Sequence, residues 1–515
     1  MSSPAAQSSS LPHRPTIRQR AMFFKRGYTE FIFDVSDVLI TWPSDLTCPI
    51  DREALRLCLV SRTWFRYETG NISKEECFQL LSKQFSRDAA VFEDAWTHVS
   101  HALRPNDEMV ALIKELKASS PKARVYGAIN ISAPDYEYFR SRTDMDWSIF
   151  DAVFTSHELG IRMPHPGFLK RTLETAAQKG TKLNYEDTVF VGHDIDEVVN
   201  AMTFGMHGIE FIDFPAARRE LRNLVGDPVK RGWAYLRANA GNLPCGANRP
   251  GVSIMENFGQ LLLLEATGDR SLVSLPTEPP RHWNYFQGEG ILTYKDFPDD
   301  LDTTSLALVT LKPPKEHVHS VMDEMLTYLT EDGLPWTYFD REMLRLDPVV
   351  FVNVLHLFYT HGRGHELPGT LDFVHRMLKN RAYMDGTRYY FRECVLYFIS
   401  RLLATSDDAH LHEMLEDLLR ERVTELIGAP ADSIALAFRI VTCASLGIRN
   451  EIDMRSLLPL QEEDGGWEIG WIYRYGVSGM KIGSRGYTTA MAIKAIEELD
   501  KLRARDGSSK QNRSN

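Results

Sequence analysis

The hydrophobic pattern changes character midway along the chain. In the first half, short apolar runs alternate with longer stretches of helical periodicity. Glu30-Phe31-Ile32-Phe33 ends at Asp34, and Ala123–Ile129, Ala152–Phe154 and Thr188–Val191 are runs of the same kind. Continuous apolar runs of this length predict strands buried on both faces. Helical patterns separate them, over about 50–118 and Pro166–Lys179. Such alternation predicts an α/β domain with a parallel sheet over about 22–225.

From about residue 253 the strand signal fades. Helical segments recur at Ile254–Ala266, Leu306–Val309, His317–Thr330, Pro348–His361, Thr370–Asn380, Glu393–Ala404, Ala409–Ile427, Ser433–Leu446 and Tyr487–Arg503, joined by short Gly/Pro/Asp loops. Paired helices over 253–503 predict an all-α domain, an α/α barrel or toroid. The stretch 226–252, with Asn239–Pro250 (NAGNLPCGANRP) inside it, reads as a linker. Residues 1–21, rich in Ser and Pro and without an acidic residue, and the polar residues 504–515 read as disordered tails. The first of these has no signal-peptide apolar core.

Composition narrows the picture mainly by exclusion. A length of 515 residues suits two to four domains. A net charge of −11 argues against binding nucleic acid by clustered positive charge. The strongest apolar run, Val349–Tyr359, is interrupted by Asn353 and His356 and falls short of the ~18 residues that span a bilayer. The six cysteines form no CxxC pair, which points to a reducing, cytoplasmic setting with neither a disulfide frame nor a zinc site.

Two motifs in the second half carry chemistry. Asp300-Leu301-Asp302-Thr303-Thr304-Ser305 sets two carboxylates two residues apart at a loop-to-helix junction. One reading is a plain N-cap, with Asp302 or Thr303 capping a helix through Leu306 and Leu308. The other is a pair of acids that act together. Gln461-Glu462-Glu463-Asp464-Gly465-Gly466-Trp467 is a tandem-glycine turn whose Gln and Trp can tie a helix end to its neighbour.

The pair DxDTT and QxxDGGW, followed by Gly486-Tyr487-Thr488-Thr489-Ala490, resembles the β domain of class II terpene cyclases, in the DxDTT variant of the drimane-type sesquiterpene cyclases. In that group the cyclase half follows a haloacid-dehalogenase-like (HAD-like) domain, the order seen here. Asp347-Pro348-Val349-Val350 and the stretch Tyr383–Tyr390 are also similar to that family, and the likeness covers about 25–500.

The resemblance implies a reaction begun by protonating an alkene, with the diphosphate kept. An alkene is a feeble base, so the acid must be neutral and shielded from water; burial holds a carboxyl protonated. By resemblance Asp302 is the donor. Asp300 accepts a hydrogen bond from it, and Thr303 and Thr304 complete the motif. A helix N-terminus stabilises the carboxylate left behind, and the carbocation needs aromatic faces and dry walls. Trp467, Tyr389 and Tyr390 are candidates to line the site. Arg474, Lys481 and Arg485 form either an anion clamp for the diphosphate or ordinary solvated charges. Mg²⁺ is expected as the counter-ion of the diphosphate. Ionisation-initiated cyclisation is disfavoured, because Asp299-Asp300-Leu301-Asp302 has the wrong spacing for DDxxD and no NSE partner is present.

In the first half, Phe31–Leu39 resembles the first HAD motif, with Asp34 at the nucleophile position and about 45–118 as the cap. Four departures stand out. Ser36 replaces the usual second acid, Ile129 the usual hydroxyl and Met163 the usual Lys. Gly192-His193 replaces the usual acidic pair, leaving Asp194 and Asp196 nearby. Asp34, Asp194 and Asp196 are then the candidates for a metal. The lost groups would hold the phosphate and Mg²⁺, so a degenerate, mainly structural domain is expected. Arg162 or Ser132 as substitutes keep phosphatase activity open.

The expected function is therefore a class II sesquiterpene cyclase that turns farnesyl diphosphate into a bicyclic drimane-type diphosphate. Separate phosphatases and oxidising enzymes would act afterwards. The alternatives are a bifunctional cyclase–phosphatase releasing a drimane alcohol such as drimenol or albicanol, and a non-catalytic scaffold.

Overall fold

The computed structural model describes residues 28–43, 48–178, 183–475 and 478–511. The expected tail 1–21 lies outside them. The chain divides into two compact units, Met1–Gly226 and Asp227–Asn515.

The first unit is built on β1 (Glu30–Asp34), β2 (Arg124–Ile129), β3 (Ala152–Thr155), β4 (Thr188–Gly192) and β5 (His207–Glu210). They form one parallel sheet in the order β3-β2-β1-β4-β5. The central strand β1 is buried along its whole length, as its unbroken apolar run requires. The sequence pattern missed β5, whose four residues (HGIE) look like a loop. Four helices, α1 (Arg52–Leu59), α2 (Arg62–Glu68), α3 (Lys74–Phe85) and α4 (Ala89–Ala102), make a cap with its own core around Trp64, Tyr67, Phe78 and Phe92. The next helix, Asp107–Ser119, buries Met109, Leu112 and Ile113 in the core beneath the sheet. The cap therefore ends near Ala102, short of the expected 118.

The second unit is a closed ring of helices. In chain order they are α5 (Asn257–Thr267), α6 (Leu301–Leu311), α7 (Pro348–Thr360), α8 (Arg392–Ala404), α9 (Ser433–Ser445) and α10 (Arg485–Gln511). Each packs on the next, and α10 packs back on α5. The ring helices α5 to α9 are buried over most of their faces, and α10 over its first half, as an inner layer requires; α7 is buried from Val349 to Tyr359. Helices Pro368–Lys379, Ala409–Leu426 and Glu451–Leu457 pack outside and show the expected polar faces. This is the α/α barrel that the paired segments predict.

Three details differ from the sequence reading. Within the stretch taken as a linker, Pro228–Ala238 is a helix that packs on α10, and Cys245–Ala247 and Ser253–Ile254 are strands. With Tyr473–Arg474 and Lys481–Ser484 they make a four-stranded antiparallel sheet, so the unit is not wholly helical. At the far end α10 runs to Gln511, through most of the segment read as a tail.

The QxxDGGW turn is a lock. Gln461 donates to the carbonyls of Pro228 (2.9 Å) and Gly465 (2.8 Å), and Trp467 Nε1 donates to Leu457 (2.9 Å). Thr489 and Thr488 of α10 accept from the backbone of Trp467 and Gly470. Gly465 has φ +92° and lies against the Arg231 carbonyl, a place where only glycine fits without strain.

Candidate active site

Helix α6 begins where the DxDTT motif lies. Asp300 is the N-cap: its Oδ1 accepts from the Thr303 backbone (2.5 Å) and its Oδ2 from the Thr303 hydroxyl (3.0 Å). Thr304 accepts from the Trp283 backbone at 2.8 Å and pins the incoming loop. Three of the four expected catalytic residues thus shape the helix start. Asp300, not Asp302 or Thr303, does the capping. It does so with both oxygens, each accepting from Thr303. Its carboxyl is held well above the usual range, by burial first and by Asp302 second.

Asp302, in the first turn of α6, is 6% exposed. Its Oδ1 accepts from Asn353 Nδ2 on α7 at 2.6 Å, and its Oδ2 accepts from the Tyr390 hydroxyl. Burial pushes its pKa up to about 6, against the opposing pull of those two donors. Asp347, N-cap of α7, adds a further upward push, and Arg401 a downward one. The result is a carboxyl that is protonated more readily than an exposed one, yet has two donors ready for its anion. The Tyr390 ring sits among Phe258, Phe398 and Tyr473 at centroid distances of 6.0, 5.8 and 6.2 Å.

The other expected binding residues sort into two groups. Tyr389 Oη lies 3.1 Å from Tyr338 Oη, and the Tyr389 backbone donates to Asp347. Arg474 and Lys481 both lie over the Phe391 ring, at 5.7 and 5.8 Å from its centre, and Arg474 also donates to the Thr387 carbonyl. By contrast Arg485 is bound bidentately to Asp464 at 2.6 Å and to the Trp467 carbonyl, so it belongs to the lock and not to an anion clamp. Trp467 is fully buried in that lock and is likewise no lining residue.

In the first unit Asp34 ends β1 and accepts from the Ser36 backbone at 3.0 Å. It lies in a cavity of about 410 Å³ between sheet and cap, together with Ser132, Arg162, Asp194 and Glu197. The cap side of this cavity is aromatic, with Trp64, Phe65 and Trp96. Burial and the neighbouring Asp37 carboxylate raise the Asp34 pKa. Asp194 lines the cavity, but Asp196, on the exposed first turn of its helix, does not. Glu197 takes that place instead. It is buried, its carboxyl is raised by burial and by Asp34, and its Oε2 has no hydrogen-bond partner. Among the described residues no group of three or more acidic, His or Cys side chains is drawn to metal-binding distance. Even so, an orphaned buried carboxylate oxygen facing other carboxylates fits a divalent cation, with Asp34, Asp194 and Glu197 as the residues to hold it. Glu197 was missed because it stands one residue beyond the pair considered.

Comparison with known proteins agrees with this geometry. Residues 229–361 match the family model of the sesquiterpene cyclase astC-like C-terminal domain. Drimenol cyclase drtB of Aspergillus calidoustus is 40% identical over 468 residues, which cover 90% of this chain and 87% of that protein. Sesquiterpene phosphatase astK of Aspergillus oryzae is 31% identical over 195 residues, 38% of this chain and 95% of that protein. Among solved structures, type II terpene cyclase MstE of Scytonema superposes with a TM-score of 0.38 at 14% identity, covering 54% of this chain and 97% of that one. A HAD family enzyme of Bacteroides thetaiotaomicron gives a TM-score of 0.29 at 17% identity, covering 36% and 94%. The helical ring, the buried acid and the drimenol cyclase relative define an enzyme of the terpene cyclase class. The chain belongs to the drimenol cyclase family, and the scaffold reading falls with that membership.

Proposed function

We propose that the chain is a protonation-initiated cyclase that converts farnesyl diphosphate into a bicyclic drimane-type diphosphate. The observation that carries this reading is the Asp302 carboxyl: buried, raised toward its neutral form, and backed by two hydrogen-bond donors. Asp302 gives its proton to the distal alkene of the substrate. The cation is captured by the next two alkenes in turn, so two carbon–carbon bonds form. Loss of one proton then leaves an isomer of the substrate with its diphosphate intact. Asn353 and Tyr390 stabilise the carboxylate as it forms, where preorganised donors matter most. Arg474 and Lys481 are the cations proposed to meet the diphosphate, and Mg²⁺ accompanies that group as its counter-ion.

The aromatic cavity over Asp34 favours a second activity: removal of phosphate from the cyclised product, giving a drimane alcohol. A cavity that joins carboxylates and Arg162 to Trp64, Phe65 and Trp96 suits a ligand with a phosphorylated head and a terpenoid body. Asp34 would attack the terminal phosphorus while the P–O–P bond breaks and the monophosphate leaves; water would then release phosphate from the aspartyl phosphate, and a second round of the same two steps on the monophosphate would release the alcohol. A bound divalent cation would neutralise the charge of the phosphoryl oxygens. The phosphatase relative supports this reading, as does Glu197 in the place where the expected acid was missing.

The test is incubation of the purified chain with farnesyl diphosphate and mass analysis of the product, with and without added phosphatase. A bicyclic product that needs added phosphatase for detection as the alcohol supports the cyclase alone. Free bicyclic alcohol without it, lost in Asp34→Asn while cyclisation continues, supports both activities. Only linear farnesol or unchanged substrate would refute the cyclase reading.

A further inference from the structure

Asp302 is the near end of a chain of polar side chains that crosses the ring. Asn353, whose Nδ2 donates to Asp302, accepts at its Oδ1 from Arg401 Nη1 on α8 (3.1 Å). Arg401 Nη2 in turn donates to Glu265 Oε1 on α5 (2.7 Å). In the order of the ring α5 and α8 lie opposite one another, so the ion pair spans its interior. Arg401 is 8% exposed and its guanidinium also lies 5.0 Å from the Phe398 ring centre. A charge pair in such surroundings is costly to desolvate and is often replaceable by apolar side chains without loss of stability. Its presence calls for a reason other than holding the fold.

The reason lies in what each group can and cannot do. A carboxamide fits its pocket in two orientations that differ only by exchange of oxygen and nitrogen. A guanidinium has donors and no acceptor. Facing Arg401, Asn353 must present its oxygen, and so it must present its amide hydrogens to Asp302. With Tyr390 donating to the other oxygen, both oxygens of Asp302 are occupied from the protein side. The acid proton is then left in a direction that neither donor fills. The same two donors, and the nearby positive charge, favour the anion that remains after the proton has gone.

We propose that Arg401 is a positioning residue for the proton donor: through Asn353 it fixes the orientation of the Asp302 carboxyl, and with Glu265 as its counter-charge it stabilises the carboxylate formed on proton transfer. This rests on the reading of Asp302 as the acid. The other ionisable groups facing Asp302 are Asp300 on its own helix start, Asp347 at the start of α7 and Tyr390 from the loop before α8, while His356 of α7 faces the Arg401–Glu265 pair. Burial keeps His356 neutral, with its pKa lowered to about 3. Lys494 and Tyr487 of α10 and Tyr397 of α8 are the further ionisable groups around the Arg401–Glu265 pair.

Two substitutions move the site in opposite directions. Cyclisation requires protonated Asp302, so kcat falls as pH rises through its pKa. Arg401→Gln keeps an N–H donor for Asn353 but removes the charge. Its alkaline limb is expected about one pH unit higher, with a plateau kcat reduced about tenfold and KM unchanged. Glu265→Gln keeps the hydrogen bond to Arg401 but removes the counter-charge, and its limb is expected to move to lower pH. A residue with a merely structural role would shift neither limb. Arg401→Met combined with Glu265→Leu removes the pair without leaving a lone charge, and is expected to lower kcat about 100-fold in a folded protein. Equal limbs in all variants, or wild-type kcat in the folded double variant, would overturn the proposal. Asp302→Asn separates the two claims. If it is inactive while the Arg401 variants match the wild type, only the positioning role fails; if it still cyclises, the acid itself is misassigned.

Discussion

The hydroxyl of Tyr390 donates to Oδ2 of Asp302 across 88 residues of sequence, joining the loop before α8 to the first turn of α6. The bond favours the carboxylate over the acid, so it makes Asp302 the stronger donor. Tyr390→Phe keeps the ring among Phe258, Phe398 and Tyr473 but removes the donor. We expect kcat to fall between about 10- and 100-fold with little change in melting temperature. Steady-state kinetics beside a thermal melt check both halves of the expectation.

Asp302→Asn should abolish cyclisation without unfolding the chain. The folded pKa of about 6 lies above the unfolded value near 3.8, so the protonated acid fits the fold and its anion does not. Stability from this group is fully present below pH 3.8, and is lost as pH rises to about 6. Asparagine escapes that penalty. The variant should therefore gain up to about 3 kcal/mol over the wild type at pH 7.5 and nothing at pH 3.5. Paired denaturant titrations at the two pH values read this difference; a gain at pH 3.5 alone would have the wrong sign.

The two cations over Phe391 and the one in the lock should respond differently. Arg474→Ala or Lys481→Ala should raise KM for the diphosphate substrate severalfold with kcat nearly kept, since each loses a charge-assisted contact made before reaction. Arg485→Ala should instead lower the melting temperature, because it frees Asp464 and the Trp467 carbonyl. A KM effect confined to Arg485 would reverse this assignment.

In the first unit, Asp34→Asn should remove phosphate release and leave the yield of bicyclic product unchanged. Chelation of divalent cations should stop the same release, since Asp34 and Glu197 then face each other uncompensated. It should also slow cyclisation, by stripping the counter-ion from the substrate. Inorganic phosphate and bicyclic product measured in one reaction separate the two effects.

A methyl group at Gly465 would stand 2.4 Å from the Arg231 carbonyl oxygen, at a φ of +92° that side chains avoid. Gly465→Ala should cost about 2 kcal/mol or more in stability. Its product spectrum below the melting transition should be unaltered, because Gln461, Trp467 and Arg485 of the lock bind the Pro228 carbonyl, the Leu457 carbonyl and Asp464 and so hold helix ends. A changed product in the folded variant would connect the lock to the chemistry.

Much of the architecture was legible because its inner layer is so apolar. The runs at Phe31–Phe33, Val189–Val191 and Val349–Leu357 can only be buried, and their spacing separates strand from helix. The small antiparallel sheet was not legible, since strands such as Ser253–Ile254 and Tyr473–Arg474 are too short to show a period. The helix Pro228–Ala238 was hidden by the turn-forming residues that follow it. The DxDTT spacing brought out both acids but not their division of labour, which depends on the Thr303 groups that occupy Asp300. Asn353 and Arg401 left only one trace in the sequence, the polar Asn353 that with His356 interrupts the apolar run of α7. Their partners lie 51 and 136 residues away, Asp302 for Asn353 and Glu265 for Arg401, on neighbouring and opposite helices, and no local pattern carries that information.

Because α10 packs back on α5, the barrel has no seam until its final stave is in place. During synthesis the oily faces of the earlier staves stand open while some 200 further residues are still being added, at a pace of about 5–20 residues per second. The nascent chain thus carries an unsealed hydrophobic trough for many seconds. Chaperone demand, and the yield lost to aggregation when α10 is shortened, should both trace to that interval.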